Sequence, residues 1–131
     1  MIIGPHINFN GNCEEAMKTY EKIFGGSDLK MVKYGDIDSD AVNDDEKDRI
    51  LIGEMNINNT TFLFSDVPQY VHGNNLAIAI KLKLKEEVQE AFNALKGGAT
   101  VHIELGPTFF SPMYVFFTDK FGVTWEFMCS E

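Results

Sequence analysis

The sequence predicts an α+β fold built from two paired β-α-β-β-β modules, and three observations carry that prediction. Two amphipathic stretches read as helices, each followed by a glycine pair. Short runs rich in β-branched and aromatic residues surround them in the same order in both halves. The two helical stretches share residues at a constant offset: Glu14, Glu15, Gly25 and Gly26 match Glu86, Glu87, Gly97 and Gly98. A chain of 131 residues, 44% hydrophobic and 24% charged, is globular in composition and long enough for one domain without staples.

Taken in order, residues 2–9 form the first predicted strand. Asn12 is then the candidate N-cap of a helix over Cys13–Phe24. Glu14 and Glu15 sit in its first turn, where the positive end of the helix dipole favours them. Ala16, Tyr20, Ile23 and Phe24 repeat at helical spacing, and Gly25-Gly26 ends the helix. Strands follow at 28–34, Ile50–Ile57 and 61–65, with Asn58-Asn59 turning between the last two. The second half repeats the plan. A strand at 76–82 precedes a helix at 85–96, with Val88, Phe92 and Leu95 on one stripe, and strands follow at 100–105, 113–118 and 124–128, the last two meeting at Phe121-Gly122. Beyond the helices, Phe62 and Phe64 match Trp125 and Phe127, so the chain reads as an internal duplication. The first module spans about 1–66 and the second about 75–131, joined by a linker at about 67–74, within a single domain.

Charge narrows the function classes. The chain has 20 acidic against 11 basic residues and a net charge of −9. That balance repels phosphate backbones and anionic lipid, so neither nucleic acid nor a membrane surface is the expected partner. The two cysteines, Cys13 and Cys129, make no disulfide framework, and the opening Met1-Ile2-Ile3-Gly4-Pro5 is not a signal segment. A reduced, cytoplasmic protein is the expectation. The stretch from Asp36 through Asp38, Asp40 and Asp44 to Asp48 spaces its first carboxylates like a calcium loop. Ala41 replaces the turn glycine and Lys47 the closing Glu, so a solvated acidic loop is the better reading. Cys13 stands at a helix N-terminus, which lowers a thiol pKa, but has no His beside it in sequence, and a small core residue is the simpler role. His6, His72 and His102 form no local metal motif.

Strand alternation separates two faces. Ile7 and Phe9, then Gly53, Met55 and Ile57, then Val123, Trp125 and Phe127 make an apolar face suited to the helices. His6 and Asn8, then Ile50, Ile52, Glu54 and Asn56, then Thr124, Glu126 and Met128 make a mixed one. Such a face is either the solvated side of an antiparallel sheet or a concave binding surface. The large apolar groups beside Glu54 and Glu126 favour the binding surface.

Several segments together resemble a known family. They are Pro5-His6-Ile7-Asn8-Phe9-Asn10-Gly11-Asn12 with Glu14-Glu15-Ala16 and Phe24-Gly25-Gly26, then Glu54-Met55-Asn56-Ile57, Phe62-Leu63-Phe64-Ser65-Asp66, and Thr118-Asp119-Lys120-Phe121-Gly122-Val123-Thr124-Trp125. They resemble PhnB-like proteins of the vicinal oxygen chelate superfamily, also called the glyoxalase / bleomycin-resistance / extradiol dioxygenase superfamily. The resemblance implies paired modules forming a U-shaped mixed sheet around a ligand cavity, commonly in a homodimer. It also implies a divalent metal in the active members, held by strand residues. Carried over residue by residue, the metal ligands fall on His6 and Glu126, while the other two positions fall on Ile52, which cannot ligate, and near Asn75. The implied function is small-ligand binding over an incomplete metal site, lined by His6, Asn8, Ile52, Glu54, Phe110, Tyr114 and Glu126, with no cofactor firmly assigned. The alternative is a divalent-metal-dependent lyase, isomerase or dioxygenase using His6 and Glu126, with Glu126 as ligand and proton-transfer base and Glu54 a possible third ligand. A third reading is an interaction module whose polar sheet face meets solvent or a partner.

Overall fold

The structure, a computed structural model, describes residues 1–37 and 43–131. Asp38, Asp40 and Ala41 of the calcium-like stretch lie outside the described residues. The chain divides into two units, Met1–Val71 and His72–Glu131. Each is an α+β unit with one four-stranded mixed sheet.

In the first unit the order is β1 (His6–Phe9), α1 (Cys13–Phe24), β2 (Ser27–Lys33), α2 (Tyr34–Ile37), β3 (Ile50–Ile57) and β4 (Thr60–Asp66). The sheet order is β1-β4-β3-β2, with β1 parallel to β4 and the other pairings antiparallel. The second unit holds β5 (Ile78–Leu82), α3 (Lys85–Leu95), β6 (Thr100–Gly106), β7 (Tyr114–Thr118) and β8 (Thr124–Cys129), ordered β5-β8-β7-β6 with β5 parallel to β8. The registers correspond as well: Ile7 faces Phe64 as Ile80 faces Phe127.

The expected elements form, with local differences. The first strand begins at His6, leaving Ile2 and Ile3 exposed, because Pro5 has no N–H to give a ladder. Tyr34 opens the short helix α2 instead of closing β2. Asn12 does not cap α1 with its side chain. The carboxylate of Asp66, at the end of β4, does that work: its Oδ1 accepts the N–H groups of Gly11 at 2.6 Å and Cys13 at 3.2 Å. At the other end Gly25 takes the left-handed conformation, φ 67°, which glycine adopts without steric cost. Asn58 and Asn59 both have positive φ, as a two-residue hairpin turn demands.

Each core lies between a helix and the apolar face of its sheet. In the first unit Cys13, Ala16, Met17 and Tyr20 of α1 are buried against Met55 and Phe64, and Tyr20 stacks on Phe64 with centroids 6.5 Å apart. In the second, Val88, Phe92 and Leu95 of α3 are buried, and Phe92 meets Phe117 edge-on at 5.1 Å. Ile50, expected on the mixed face, is fully buried beside a register irregularity between Val32 and Lys33. None of the described helices is long and apolar enough to cross a membrane.

Candidate functional site

The mixed face of the first unit is built by three strands. His6 pairs with Leu63, and Leu63 pairs with Glu54, so these three side chains form one row across β1, β4 and β3. Asn8 pairs with Ser65 in the next row, and Ile52, on β3, pairs with Val32. His6 Nε2 lies 2.8 Å from Ser65 Oγ, and Ser65 Oγ donates to the Leu51 carbonyl at 2.9 Å. A serine hydroxyl has one hydrogen, so the contact to the imidazole has Nε2–H as its donor. Nδ1 is then the nitrogen of the neutral ring that retains a lone pair. Asn8 is exposed, Ile52 is 36% exposed, and Glu54 is half-buried. Among the described residues the Glu54 carboxylate has no hydrogen-bond or ion-pair partner.

In the second unit the corresponding face carries different chemistry. Glu126 on β8 pairs across the ladder with Phe116 on β7 and with Ala79 on β5. Tyr114, 6% exposed, donates its hydroxyl to Glu126 Oε2 at 2.7 Å. Burial pushes the Tyr114 phenol up to about 12, assisted by the hydrogen bond to Glu126 and by its charge. The phenol therefore stays a neutral donor at ordinary pH. The ring of Phe110 stands edge-on to Tyr114 at 4.9 Å, and Phe109 edge-on to Phe110 at 5.2 Å.

The segment presenting those two rings is pinned from below. Ser111 is buried, and its Oγ accepts the Cys129 N–H at 3.0 Å while it lies 2.7 Å from the Met113 carbonyl. Thr108 Oγ1 accepts the Ser111 N–H at 3.1 Å, and the Thr108 N–H bonds the Ser111 carbonyl at 2.8 Å.

Sequence reasoning did not identify the residues that fix these faces. Ser65 and Ser111 orient them, and two buried aspartates anchor the strands around them. Asp66 adds the Ile50 N–H at 2.9 Å to its two contacts at α1. Asp119 accepts the N–H groups of Phe121 and Val123 and the indole N–H of Trp125. A signal existed for Asp66: in the alternation Phe62, Phe64, Asp66 it occupies an apolar-face position, where a carboxylate must be satisfied internally.

Cys13 is fully buried, and its thiol is raised, first by burial and then by the nearby Asp66 and Glu14 carboxylates. The dipole effect expected at the helix start is overridden, so Cys13 is an inert core residue. Among the described residues no three His, Cys, Asp or Glu side chains converge as a metal site requires. On the mixed faces stand His6 and Glu54 in the first unit, and in the second Glu126 and His102, whose ring packs on Phe116 with centroids 5.3 Å apart and whose Nε2 lies 2.7 Å from Thr118 Oγ1.

The comparisons with known proteins come to the same fold. A family model described as 3-demethylubiquinone-9 3-methyltransferase matches residues 2–128. The crystal structure of protein PA1353 from Pseudomonas aeruginosa is similar with a TM-score of 0.86 and 34% identity, over 99% of this chain and 98% of that one. A putative 3-demethylubiquinone-9 3-methyltransferase, PhnB protein, from Bacillus cereus has a TM-score of 0.81 and 20% identity, over 99% of this chain and all of that one. A point mutant of the fosfomycin resistance protein FosX from Listeria monocytogenes, solved with Mn(II) and 1S,2S-dihydroxypropylphosphonic acid, shares the fold at a TM-score of 0.70 and 11% identity, over 100% of this chain and 93% of that one. By the family match over residues 2–128, nearly its whole length, the chain belongs to the PhnB-like family described as 3-demethylubiquinone-9 3-methyltransferase.

Proposed function

We propose that this PhnB-like protein binds a small molecule on the mixed faces of its sheets, with His6, Asn8, Ile52 and Glu54 lining the face of the first unit and Phe110, Tyr114 and Glu126 that of the second. The supporting observation is the Tyr114–Glu126 pair. A neutral hydroxyl and a carboxylate, bonded at 2.7 Å beside an exposed aromatic ring, supply the few placed polar groups amid apolar surface that small-molecule sites use. The test is thermal denaturation of the protein against a panel of cationic, neutral and anionic small molecules. At least one class is expected to raise the midpoint saturably, as a native-state ligand must. No response from any class in the panel overturns the reading.

A second reading, a divalent-metal-dependent lyase, isomerase or dioxygenase, is favoured by the partnerless Glu54 carboxylate in one cross-strand row with His6, and by the Mn(II) bound in FosX. Within the first unit His6, through Nδ1, and Glu54 are the groups that would hold a cation. A metal there would polarise the oxygens of a bound substrate. Two ligands make a weak site beside the three or four of closed ones. Metal analysis of the purified protein separates the readings: near-stoichiometric Mn, Ni, Zn or Fe that is lost in His6→Ala supports the enzyme.

Two further expectations belong to the same proposal. The protein is cytoplasmic, supported by its two free, buried cysteines. It pairs as a homodimer, supported by the two edge strands that each four-stranded sheet presents. Light scattering of the protein in solution reads the second.

A further inference from the structure

We propose that the corner of the second unit formed by Glu126, Phe116, Tyr114 and Phe110 takes a small organic cation, an alkylammonium or quaternary ammonium group. The inference rests on the ligand-binding reading above and names the chemical class of ligand for that face.

The carboxylate comes first. Glu126 is half-buried, its hydrogen-bond partner is a neutral phenol, and no Lys, Arg or His pairs with it among the described residues. Lys81 stands two residues beyond Ala79 on β5 and makes no ion pair with it. The Tyr114 donor holds the carboxylate in place without neutralising it, so the corner keeps one negative charge. In a chain of net charge −9, the surrounding field draws cations towards it.

The rings decide which cation. Phe116 lies directly opposite Glu126 on the neighbouring strand, Tyr114 is bonded to it, and Phe110 stands against Tyr114. Aromatic faces attract diffuse cations through their quadrupole. A small hard metal ion instead demands several oxygen ligands, and this corner offers one carboxylate. Phe110 is 52% exposed and Phe109 fully so. They are held there by a turn fixed through the buried Ser111, so the aromatic exposure is imposed by the structure and not by a loose loop. The first unit lacks the arrangement. From the matching registers, its counterparts of Glu126, Tyr114 and Phe116 are Leu63, Ile52 and Glu54.

Three isosteric probes test this: choline, the neutral 3,3-dimethylbutan-1-ol and the anionic 3,3-dimethylbutanoate, each titrated into the whole protein and followed by backbone amide NMR. Choline is expected to shift resonances around residues 108–116 and 126 saturably. It should bind about tenfold more tightly than the neutral isostere. Glu126→Gln, which keeps an acceptor for the Tyr114 hydroxyl, should remove most of that preference, and Phe110→Ala should weaken choline binding without changing the rest of the spectrum. Equal or tighter binding of the neutral or anionic probe at these resonances overturns the cation inference while leaving the ligand-binding reading intact. Silence of these resonances to all three probes overturns the inference, and ligand binding then stands or falls on the wider thermal panel.

Discussion

The two units share a backbone plan and differ in how they fill it. Gly53 on β3 and Val115 on β7 occupy the same place, opposite Phe64 and Phe127 respectively. In the first unit a Cβ at Gly53 would run into the thioether of Met17, which reaches down from α1. In the second, Val115 itself fills that space, and the helix position matching Met17 is the exposed Gln89. One unit supplies the volume from the helix and the other from the strand. The constraint common to both is filled volume at close packing, not residue identity. The open faces diverge further, because packing does not restrain them. One carries His6 on an edge strand and Glu54 on a central one, with Leu63 between them, and the other carries Tyr114 and Glu126 on adjacent central strands.

The largest expected effect tests what anchors each unit. Asp66→Ala leaves three backbone N–H groups without their acceptor, and Asp119→Ala leaves two and an indole N–H. Each should destabilise by about 3–5 kcal/mol in urea unfolding. A loss under about 1 kcal/mol in either would mean that water replaces the carboxylate there.

Grafting one unit's packing onto the other comes next. Gly53→Val should cost about 1–3 kcal/mol by overpacking against Met17. The same change in a Met17→Ala background should cost markedly less, since the strand then supplies the volume the helix gave up. Equal costs in both backgrounds would break the equivalence drawn between the units.

The smallest effect lies in the alkaline range. Tyr114 is raised in the folded state to about 12, above its unfolded value near 10. Its contribution to stability is therefore fully present below the unfolded value and is lost as pH rises through the folded one. Tyr114→Phe should cost about 1 kcal/mol at neutral pH and show a shallower decline above about pH 10. The difference in phenolate absorbance between the two proteins reads the titration directly. A midpoint near 10 would remove the Glu126 contact from the account.

The elements with the strongest local signals were legible in advance. Helix α1 starts and stops where the acidic first turn and Gly25 place it, and β3 spans Ile50–Ile57 as its alternation reads. The paired modules followed from the same patterns, because period and turn chemistry are set by neighbours in sequence, while the family resemblance rested on particular segments such as Pro5–Asn12 and Thr118–Trp125. Asn12 fails as a cap for the opposite reason. The acceptor that satisfies Gly11 and Cys13 is Asp66, more than 50 residues away, and no local pattern announces such a partner.

The same division holds for the candidate site. Alternation alone put His6, Glu54 and Glu126 on mixed faces. Their hydrogen-bonding state depends on chain brought alongside by folding: Ser65 fixes the proton on the His6 ring, Tyr114 occupies one oxygen of Glu126, and nothing described engages Glu54. Sequence determined which residue types face outward, since a strand's period is two wherever it lies. Tertiary structure decided which donor meets which acceptor, and so which of these groups remains available to a ligand, because strand pairing joins residues whose separation along the chain carries no record of their contact.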